Sequence, residues 1–221
     1  MNNEEILQHV DHTYLKAFAA WEDIDKLCRE AIEYHTASVC IPPAYIKRVH
    51  DTFGDAINIC TVIGFPLGYS CTEAKAAEIR QAMADGASEL DMVINITDAK
   101  NGDFDKITEE IKALKAVTGD KILKVIIETC YLTQEEKIRL CKCVTDAGAD
   151  YIKTSTGFGT DGATIEDILL FKEHIGPNVK MKAAGGIRSV KDMEMFLEAG
   201  CDRLGTSSAI KLLQGEKGAS Y

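Results

Sequence analysis

Two kinds of apolar pattern alternate along the chain. Short runs rich in β-branched residues predict strands, and the longer stretches between them carry apolar residues at helical spacing with charges on the opposite face. Eight such rounds are present, which is the number that a closed β/α barrel requires. The predicted strands are His9 to Thr13, Ala37 to Ile41, Ile57 to Gly64, Glu89 to Asn95, Ile122 to Glu128, Tyr151 to Ser155, Val179 to Ala183 and Arg203 to Gly205. The clearest predicted helices are Thr72 to Asp85, Phe104 to Val117, Gln134 to Ala147 and Ile165 to His174.

Helix start and stop signals fall where this alternation requires them. A weak internal repeat places a glycine between a helical stretch and the next strand, at the position that accepts a left-handed conformation. The predicted N-terminal caps are Thr72, Thr133, Thr164 and Ser189, and the repeated glycines are Gly86, Gly148 and Gly200. We therefore predict one (β/α)8 TIM barrel, a single catalytic domain of residues 1–221. A doubly wound open sheet is the alternative, but no Gly-x-Gly-x-x-Gly motif follows the first strand.

Composition and charge narrow the range of partners. The 221 residues are 46% hydrophobic and 27% charged, which is typical of a globular protein, and the net charge is −10. This charge disfavours nucleic acid and anionic lipid as partners, so an anionic ligand needs a local site. The apolar runs are too short for a membrane span. Eight cysteines without a secretory leader lead us to expect reduced thiols in the cytoplasm.

Three charged residues lie within apolar strands at positions that face the interior of a barrel. Asp91 is in the fourth predicted strand, Lys153 in the sixth and Lys182 in the seventh. Active sites of such barrels lie at the carboxyl ends of the strands, and neighbouring strands bring the two lysines together. A second ammonium about 6 Å away disfavours protonation by roughly two pKa units, and a free amine can attack a carbonyl. A catalytic Lys–Lys–Asp cluster and a purely structural ion network both remain open at this point.

Two glycine-rich loops predict a phosphate site at the same end of the barrel. Both follow the last two strands, and both precede helical stretches, so their backbone amides can bind an anion. The predicted phosphate-binding residues are Gly157 after the sixth strand, Gly185, Gly186 and Arg188 after the seventh, and Gly205, Ser207 and Ser208 after the eighth.

The sequence resembles the deoxyribose-phosphate aldolase family over nearly its whole length. The matching segments are 10–13, 38–41, 64–66, 90–95, 152–157, 182–188 and 205–208, and those of the sixth and seventh strands are the most specific. The resemblance implies a class I aldolase that reversibly cleaves 2-deoxy-D-ribose 5-phosphate to D-glyceraldehyde 3-phosphate and acetaldehyde through a lysine Schiff base. It implies no cofactor and no metal.

Residue roles follow from the resemblance position by position. Lys153 would form the Schiff base, Lys182 would tune the ionisation of that amine, and Asp91 would donate and accept protons. The C-terminal Tyr221 would assist proton transfer at the enamine carbon. The predicted substrate-binding residues are Asp11, Thr13, Cys40 and Thr156. Asp11 and Thr13 would also support the proton network, and Cys40 also suits a small apolar filler. Some family members carry a lysine where this chain has Phe158, which removes one positive charge from the phosphate loop.

Other readings of the sequence stay open. Another phosphosugar barrel enzyme, such as an epimerase or isomerase, and a non-catalytic phosphosugar-binding module both fit the phosphate loops. His9 and His12 have the spacing of helical metal ligands, but on a strand residues three apart face opposite sides. The sequence leaves the oligomeric state undetermined, and a homodimer is one expectation.

Overall fold

Eight parallel strands close into a barrel in the order of the sequence. The computed structural model of the protein describes residues 1–215. The strands are β1 (Val10–Thr13), β2 (Ser38–Ile41), β3 (Ile59–Ile63), β4 (Glu89–Val93), β5 (Ile122–Ile126), β6 (Tyr151–Lys153), β7 (Lys180–Ala184) and β8 (Arg203–Thr206). Because β8 pairs with β1, the sheet has no free edge, and the predicted single-domain (β/α)8 barrel is confirmed.

Helices occupy the connections between the strands. They are α1 (Asn3–Leu7), α2 (Trp21–Glu33), α3 (Ile46–Phe53), α4 (Thr72–Asp85), α5 (Ile96–Asn101), α6 (Phe104–Thr118), α7 (Gln134–Asp146), α8 (Ile165–His174), α9 (Val190–Ala199) and α10 (Ala209–Leu213). Short 3₁₀ turns lie at Pro43–Tyr45, Gly54–Ala56 and Thr129–Tyr131. Within residues 1–215, no helix has the length and apolar character needed to cross a bilayer.

The predicted strand boundaries are wrong by one to a few residues at several ends. The apolar run of β4 continues into Ile94 and that of β5 into Ile127, and both residues are fully buried although they lie beyond the last strand residue. Both also donate one backbone hydrogen bond to the neighbouring strand, Ile94 to the Ile126 carbonyl and Ile127 to the Lys153 carbonyl, each at 3.1 Å. An apolar run that stays buried and partly hydrogen-bonded past the strand end explains the overextension, since hydrophobicity does not mark the last strand residue. The eighth strand was predicted one residue too short, because Thr206 still belongs to β8.

Helix termini match the predicted signals with one exception. The side chains of Thr133, Thr164 and Ser189 each accept a hydrogen bond from a backbone N–H of the first turn. Thr72 was predicted as a cap, but Cys71 occupies that position, and the Thr72 hydroxyl instead lies 3.3 Å from Glu110 Oε1. The repeated glycines have left-handed φ values of 115°, 72° and 114° at positions 86, 148 and 200, as predicted.

The main hydrophobic core lies between the strands and the helices that surround them. In β4, Leu90 and Met92 pack into this core, and the alternation of side chains along a strand therefore turns Asp91 toward the barrel interior. A second, smaller apolar cluster of Leu15, Cys40, Cys60 and Val62, with Phe65 packed against it, is separate from the first. The barrel interior thus combines one small apolar wall with a set of buried charges.

Candidate active site

Strand register brings the predicted lysines next to each other. Lys153 of β6 pairs with Lys182 of β7, and Asp91 of β4 pairs with Lys124 of β5. All four side chains are buried, with exposed fractions of 3% for Lys153 and 0% for the others. A closed barrel has no edge strand where charged side chains could reach solvent. Charged groups at inward positions therefore find their partners inside the barrel.

One carboxylate oxygen joins the two predicted catalytic amines. Lys153 Nζ and Lys182 Nζ each lie 2.7 Å from Asp91 Oδ2. The two nitrogens are therefore no farther apart than twice that distance. The structure brings Lys153, Lys182 and Asp91 to a single point at the barrel mouth, where an electrophile bonded to one amine would lie beside the other.

A layer of ionic contacts that the sequence analysis missed supports this point. The buried Lys124 ammonium lies 2.9 Å from Asp91 Oδ1 and 2.6 Å from Glu89 Oε2. Arg203 binds the Glu89 carboxylate with both terminal nitrogens, at 2.9 and 3.0 Å. The signal for these residues was present, since each is a charged residue within a predicted strand. Lys124 even occupies the same strand position as Asp91, whereas Glu89 and Arg203 are the first residues of their strands.

Asp11 connects the two layers. Its carboxylate accepts hydrogen bonds from Lys182 Nζ, from Arg203 Nη1 at 2.5 Å and from the Ser38 hydroxyl at 2.8 Å. It was predicted among the substrate-binding residues, yet all these contacts belong to the buried network. Thr13, predicted with it, donates its hydroxyl to the Asp11 carbonyl oxygen at 2.7 Å.

Burial and ion pairing set the protonation states of this network. Burial opposes the charge on Lys182, but the carboxylates of Asp11 and Asp91 outweigh it and raise the pKa of Lys182 above its ordinary value. Burial likewise opposes ionisation of Asp91, while Lys124, Lys153 and Lys182 hold its pKa well below the ordinary range. Lys182 is therefore an ammonium and Asp91 a carboxylate at neutral pH.

All seven predicted phosphate-binding residues line one cavity of about 200 Å³ at the carboxyl ends of β6, β7 and β8. Gly157, Gly185 and Gly186 have left-handed φ values of 86°, 77° and 73°, which direct their backbone amides in a way that most side chains would hinder. A β-carbon on Gly162 would lie 2.4 Å from the Gly185 carbonyl oxygen, so these two loops touch backbone to backbone. The sequence analysis missed Gly162, and it also missed Asp161, whose carboxylate lines the cavity and accepts the Gly162 N–H at 2.8 Å.

Glu128 is a further buried group that the sequence analysis did not identify. It follows β5 with a left-handed φ of 55° and is 1% exposed. Its Oε1 accepts the Thr156 N–H at 3.1 Å, and its Oε2 accepts the Thr156 hydroxyl. The Thr156 hydroxyl oxygen also accepts the Phe158 N–H at 3.0 Å, so the predicted substrate contact at Thr156 is engaged in shaping its own loop. Burial raises the pKa of Glu128.

The remaining predicted residues lie as follows. Cys40 is fully buried in the small apolar wall, beside Cys60, which pairs with it in the strand register. His9 Nδ1 lies 2.8 Å from the Asp202 carbonyl oxygen and His12 Nε2 lies 3.0 Å from Glu30, so the two imidazoles have separate partners. Tyr221 lies outside the described residues.

Two interior groups have the donor atoms of a metal site. Cys40, Cys60 and Asp91 form one, and Asp11, Cys60 and Glu89 form the other. The Lys124 ammonium contacts every member of the second group, which places a cation among these donors already. The group of Asp11, Cys60 and Glu89 therefore suits an ammonium group rather than a metal ion.

Known proteins resemble this chain in both sequence and fold. Residues 6–215 match the DeoC/LacD family aldolase model. The chain is 70% identical over 221 residues to the deoxyribose-phosphate aldolase of Clostridium botulinum (strain Alaska E43 / Type E3), covering 100% of both, and 58% identical over 218 residues to that of Clostridioides difficile (strain 630), covering 99% and 100%.

A solved structure agrees with these relatives. The tetrameric deoxyribose phosphate aldolase from Aeropyrum pernix superimposes with a TM-score of 0.88 at 31% identity, covering 97% of this chain and 92% of that one. The match in sequence extends over the strands that carry the charged cluster and over the loops that line the cavity. This chain belongs to the DeoC/LacD family of aldolases.

Proposed function

We propose that the protein is a deoxyribose-phosphate aldolase, which reversibly cleaves 2-deoxy-D-ribose 5-phosphate to D-glyceraldehyde 3-phosphate and acetaldehyde through a Schiff base on Lys153. The observation that carries the proposal is the shared oxygen of Asp91, 2.7 Å from both the Lys153 and the Lys182 amines. The curated relatives that bear this name support the substrate assignment. An isomerase or a simple binding module would have no need for two amines at one buried carboxylate.

The first half of the reaction places the sugar on Lys153. The free amine attacks the C1 aldehyde of the open-chain sugar phosphate, and the carbinolamine loses water to form an iminium. The hydroxyl that leaves as water requires a proton, which the Lys182 ammonium can supply because it is charged and adjacent. Asp91 accepts a proton from the attacking nitrogen through the contact at 2.7 Å.

The second half breaks the C2–C3 bond, because two carbons stay on the lysine and three leave with the phosphate. Lys182, left neutral after it protonated the departing hydroxyl, accepts the proton of the C3 hydroxyl, whose oxygen becomes the aldehyde of D-glyceraldehyde 3-phosphate. The electrons of the C2–C3 bond pass to C2 to form an enamine. Lys182 then returns the proton to C2, which restores the iminium, and hydrolysis of the iminium releases acetaldehyde, the free amine and the proton that recharges Lys182. We assign the cavity of the β6, β7 and β8 loops to the C5 phosphate, supported by its seven predicted residues.

The wider setting of the enzyme is part of the same proposal. We infer a cytoplasmic enzyme, supported by eight cysteines that are all free thiols. We also infer a homo-oligomer, supported by the tetrameric relative, with the homodimer as the smallest form to test by measuring the mass of the protein in solution. The proposed reaction needs no cofactor, because the lysine supplies the electron sink itself.

Borohydride trapping tests the proposed function. The protein is incubated with acetaldehyde and reduced with borohydride, and we expect a two-carbon adduct on the peptide that contains Lys153. A Lys153→Leu variant should lose both the adduct and turnover of 2-deoxy-D-ribose 5-phosphate. Lys180→Leu is the matched control, since Lys180 is 58% exposed and pairs with Asp202 at the surface. An adduct on another lysine, or turnover by Lys153→Leu, would rule out the assignment.

A further inference from the structure

The charged cluster inside the barrel contains more cations than anions. Its cations are Lys124, Lys153, Lys182 and Arg203, and its carboxylates are Asp11, Glu89 and Asp91. With every group ionised, the cluster would carry one uncompensated positive charge. An uncompensated charge in a buried site is costly, and loss of one proton from the cluster removes it.

The cations differ in how many carboxylates compensate them. Lys124 lies within 3.5 Å of all three carboxylates, and Arg203 contacts Asp11 and Glu89. Lys182 contacts Asp11 and Asp91, whereas among residues 1–215 the ion pair of Lys153 is with Asp91 alone. Lys153 is thus the cation of the cluster with the fewest carboxylate partners.

We propose that the buried Glu89–Arg203 ion pair determines whether Lys153 carries a proton, by setting the total charge of the cluster. Neither side chain reaches the reacting atoms, so both are positioning residues. They act through Lys124 and Asp11, which contact Asp91 or Lys182 directly. This inference rests on the proposed Schiff base at Lys153, and it adds that two residues at the far end of the interior control the amine.

Ionisable groups from every strand face this cluster. Cys60 of β3 donates its thiol to Asp91 Oδ1 at 3.1 Å, and burial raises its pKa, so it is neutral. The hydrogen bond with Cys60 lowers the pKa of the Cys40 thiol on β2, whereas burial opposes this shift, so Cys40 is included in the test below. Tyr151 of β6 lies 6.0 Å from the Arg203 guanidinium, and burial raises its pKa. Glu128 also faces Lys153, but burial favours its neutral form.

The test measures how imine formation depends on pH in variants that change the cluster charge by one unit in opposite directions. Acetaldehyde imine is trapped with cyanoborohydride across the neutral pH range, and the pH midpoint of adduct formation on Lys153 is recorded. Glu89→Gln removes one negative charge, and Arg203→Gln removes one positive charge. Glu89→Asp and Arg203→Lys preserve the charge and are the matched controls, and Cys40→Ser tests the thiol.

We expect the midpoint to fall by about one pH unit in Glu89→Gln and to rise by about one pH unit in Arg203→Gln. The double variant Glu89→Gln/Arg203→Gln restores the charge balance, so its midpoint should return close to that of the unmodified protein. Cys40→Ser and the two charge-preserving variants should leave the midpoint in place. A role in packing alone would not reverse the direction of the shift with the sign of the charge removed.

Several results would overturn the inference. The midpoints of both single variants could shift in the same direction, or the folded single variants could show no shift. The midpoint of the double variant could fail to return to that of the unmodified protein. Finally, Cys40→Ser could shift the midpoint as far as Glu89→Gln does. Circular dichroism identifies the folded variants. Removal of a negative charge and removal of a positive charge are tested in separate variants. Each single variant is compared with the double variant, whose charge balance is restored. Absence of any adduct in the unmodified protein would instead refute the proposed function.

Discussion

The side chains of Lys153 and Lys182 illustrate how two identical residues acquire different chemistry. Both contact the same oxygen of Asp91, but Lys182 also contacts Asp11 and is completely buried. Two carboxylates hold the ammonium form of Lys182, which makes it a proton donor and a fixed positive charge. Lys153 lies at the open side of the cluster with Asp91 as its ion-pair partner, which supports the nucleophilic role that we propose for it. Burial and partner number, rather than residue type, separate the two roles.

Replacement of Lys182 should therefore affect catalysis more than binding. We expect Lys182→Leu to lower turnover by roughly two to four orders of magnitude, because general acid catalysis and the fixed charge are both lost. The Lys180→Leu variant removes an exposed lysine two residues away in the same strand and should turn over normally. Steady-state rates with thermal unfolding as a check on folding provide the measurement. Near-normal turnover in Lys182→Leu would contradict its assigned role.

The strand ends and the loops that follow them form the cavity that we assign to the phosphate. Three loops form the cavity, and the loop after β6 is held by Glu128 through Thr156 and Phe158. Phe158 is 48% exposed, and its ring packs edge-on against Phe65 with centroids 5.3 Å apart. Two aromatic rings therefore meet over the mouth between the β3 and β6 loops. If the phosphate binds there as proposed, we expect backbone amides, hydroxyls and Arg188 to bind it.

A cation at position 158 should strengthen phosphate binding. We expect Phe158→Lys to lower the KM for 2-deoxy-D-ribose 5-phosphate by roughly fivefold at low ionic strength, with the effect fading as salt is added. Leu169→Lys adds the same charge on the exposed face of α8 and should leave the KM unchanged. Kinetics at two salt concentrations make the comparison. Equal effects from both variants would show that net charge, rather than a local contact, is responsible.

Close backbone contact between two of these loops gives a second expectation. In Gly162→Ala the new methyl group would overlap the Gly185 carbonyl, which must move. We expect the KM for the phosphorylated substrate to rise at least roughly tenfold, because the loop amides lose their alignment. Trapping of acetaldehyde, which carries no phosphate, should be nearly unaffected. A parallel loss of trapping would indicate general damage to the barrel instead.

For the protein as a whole, the buried cluster links stability to pH. Burial opposes ionisation of Asp11 and Asp91, but the surrounding cations hold the pKa of each carboxyl below its ordinary value. A depressed carboxyl pKa contributes stability that is complete above the unfolded pKa, near 3.9, and is lost as pH falls from there through the folded pKa. Stability should therefore stay nearly level from neutral pH to about pH 5 and fall steeply below about pH 4.

The size of this acid effect can be measured by thermal unfolding. Each such carboxyl costs about 1.4 kcal/mol per pH unit in that range, so the two together should lower Tm by roughly 6–12 °C per pH unit. Asp11→Asn should make the acid slope shallower, whereas Asp55→Asn, at an exposed position, should leave the slope unchanged. An equal slope in all three proteins would show that the cluster does not govern acid stability.

Periodicity and strand chemistry were sufficient for the barrel and for the lysine pair. These features are local sequence patterns, and each is present in the folded structure: eight strand-helix rounds, the caps at Thr133 and Ser189, and the lysines within apolar strands. The glycine-rich loops and the inward Asp91 were likewise found from the residues, and the resemblance to a known family added the specific reaction and the individual residue roles. Strand boundaries were less accurate, because buried loop residues such as Ile94 are as apolar as strand residues.

The partners inside the barrel were decided only by the tertiary structure. The contacts of Lys124, Glu89 and Arg203 depend on the stagger of strands whose contacting residues are 33 to 192 positions apart in the chain. The same stagger brings Asp11, predicted to support the proton network and the substrate hydroxyls, into contact with Arg203 in the buried ion network. Side-chain alternation along each strand predicts which residues point inward. Which of these inward charges come into contact depends on closure of the barrel, because closure fixes the position of each strand along the barrel axis.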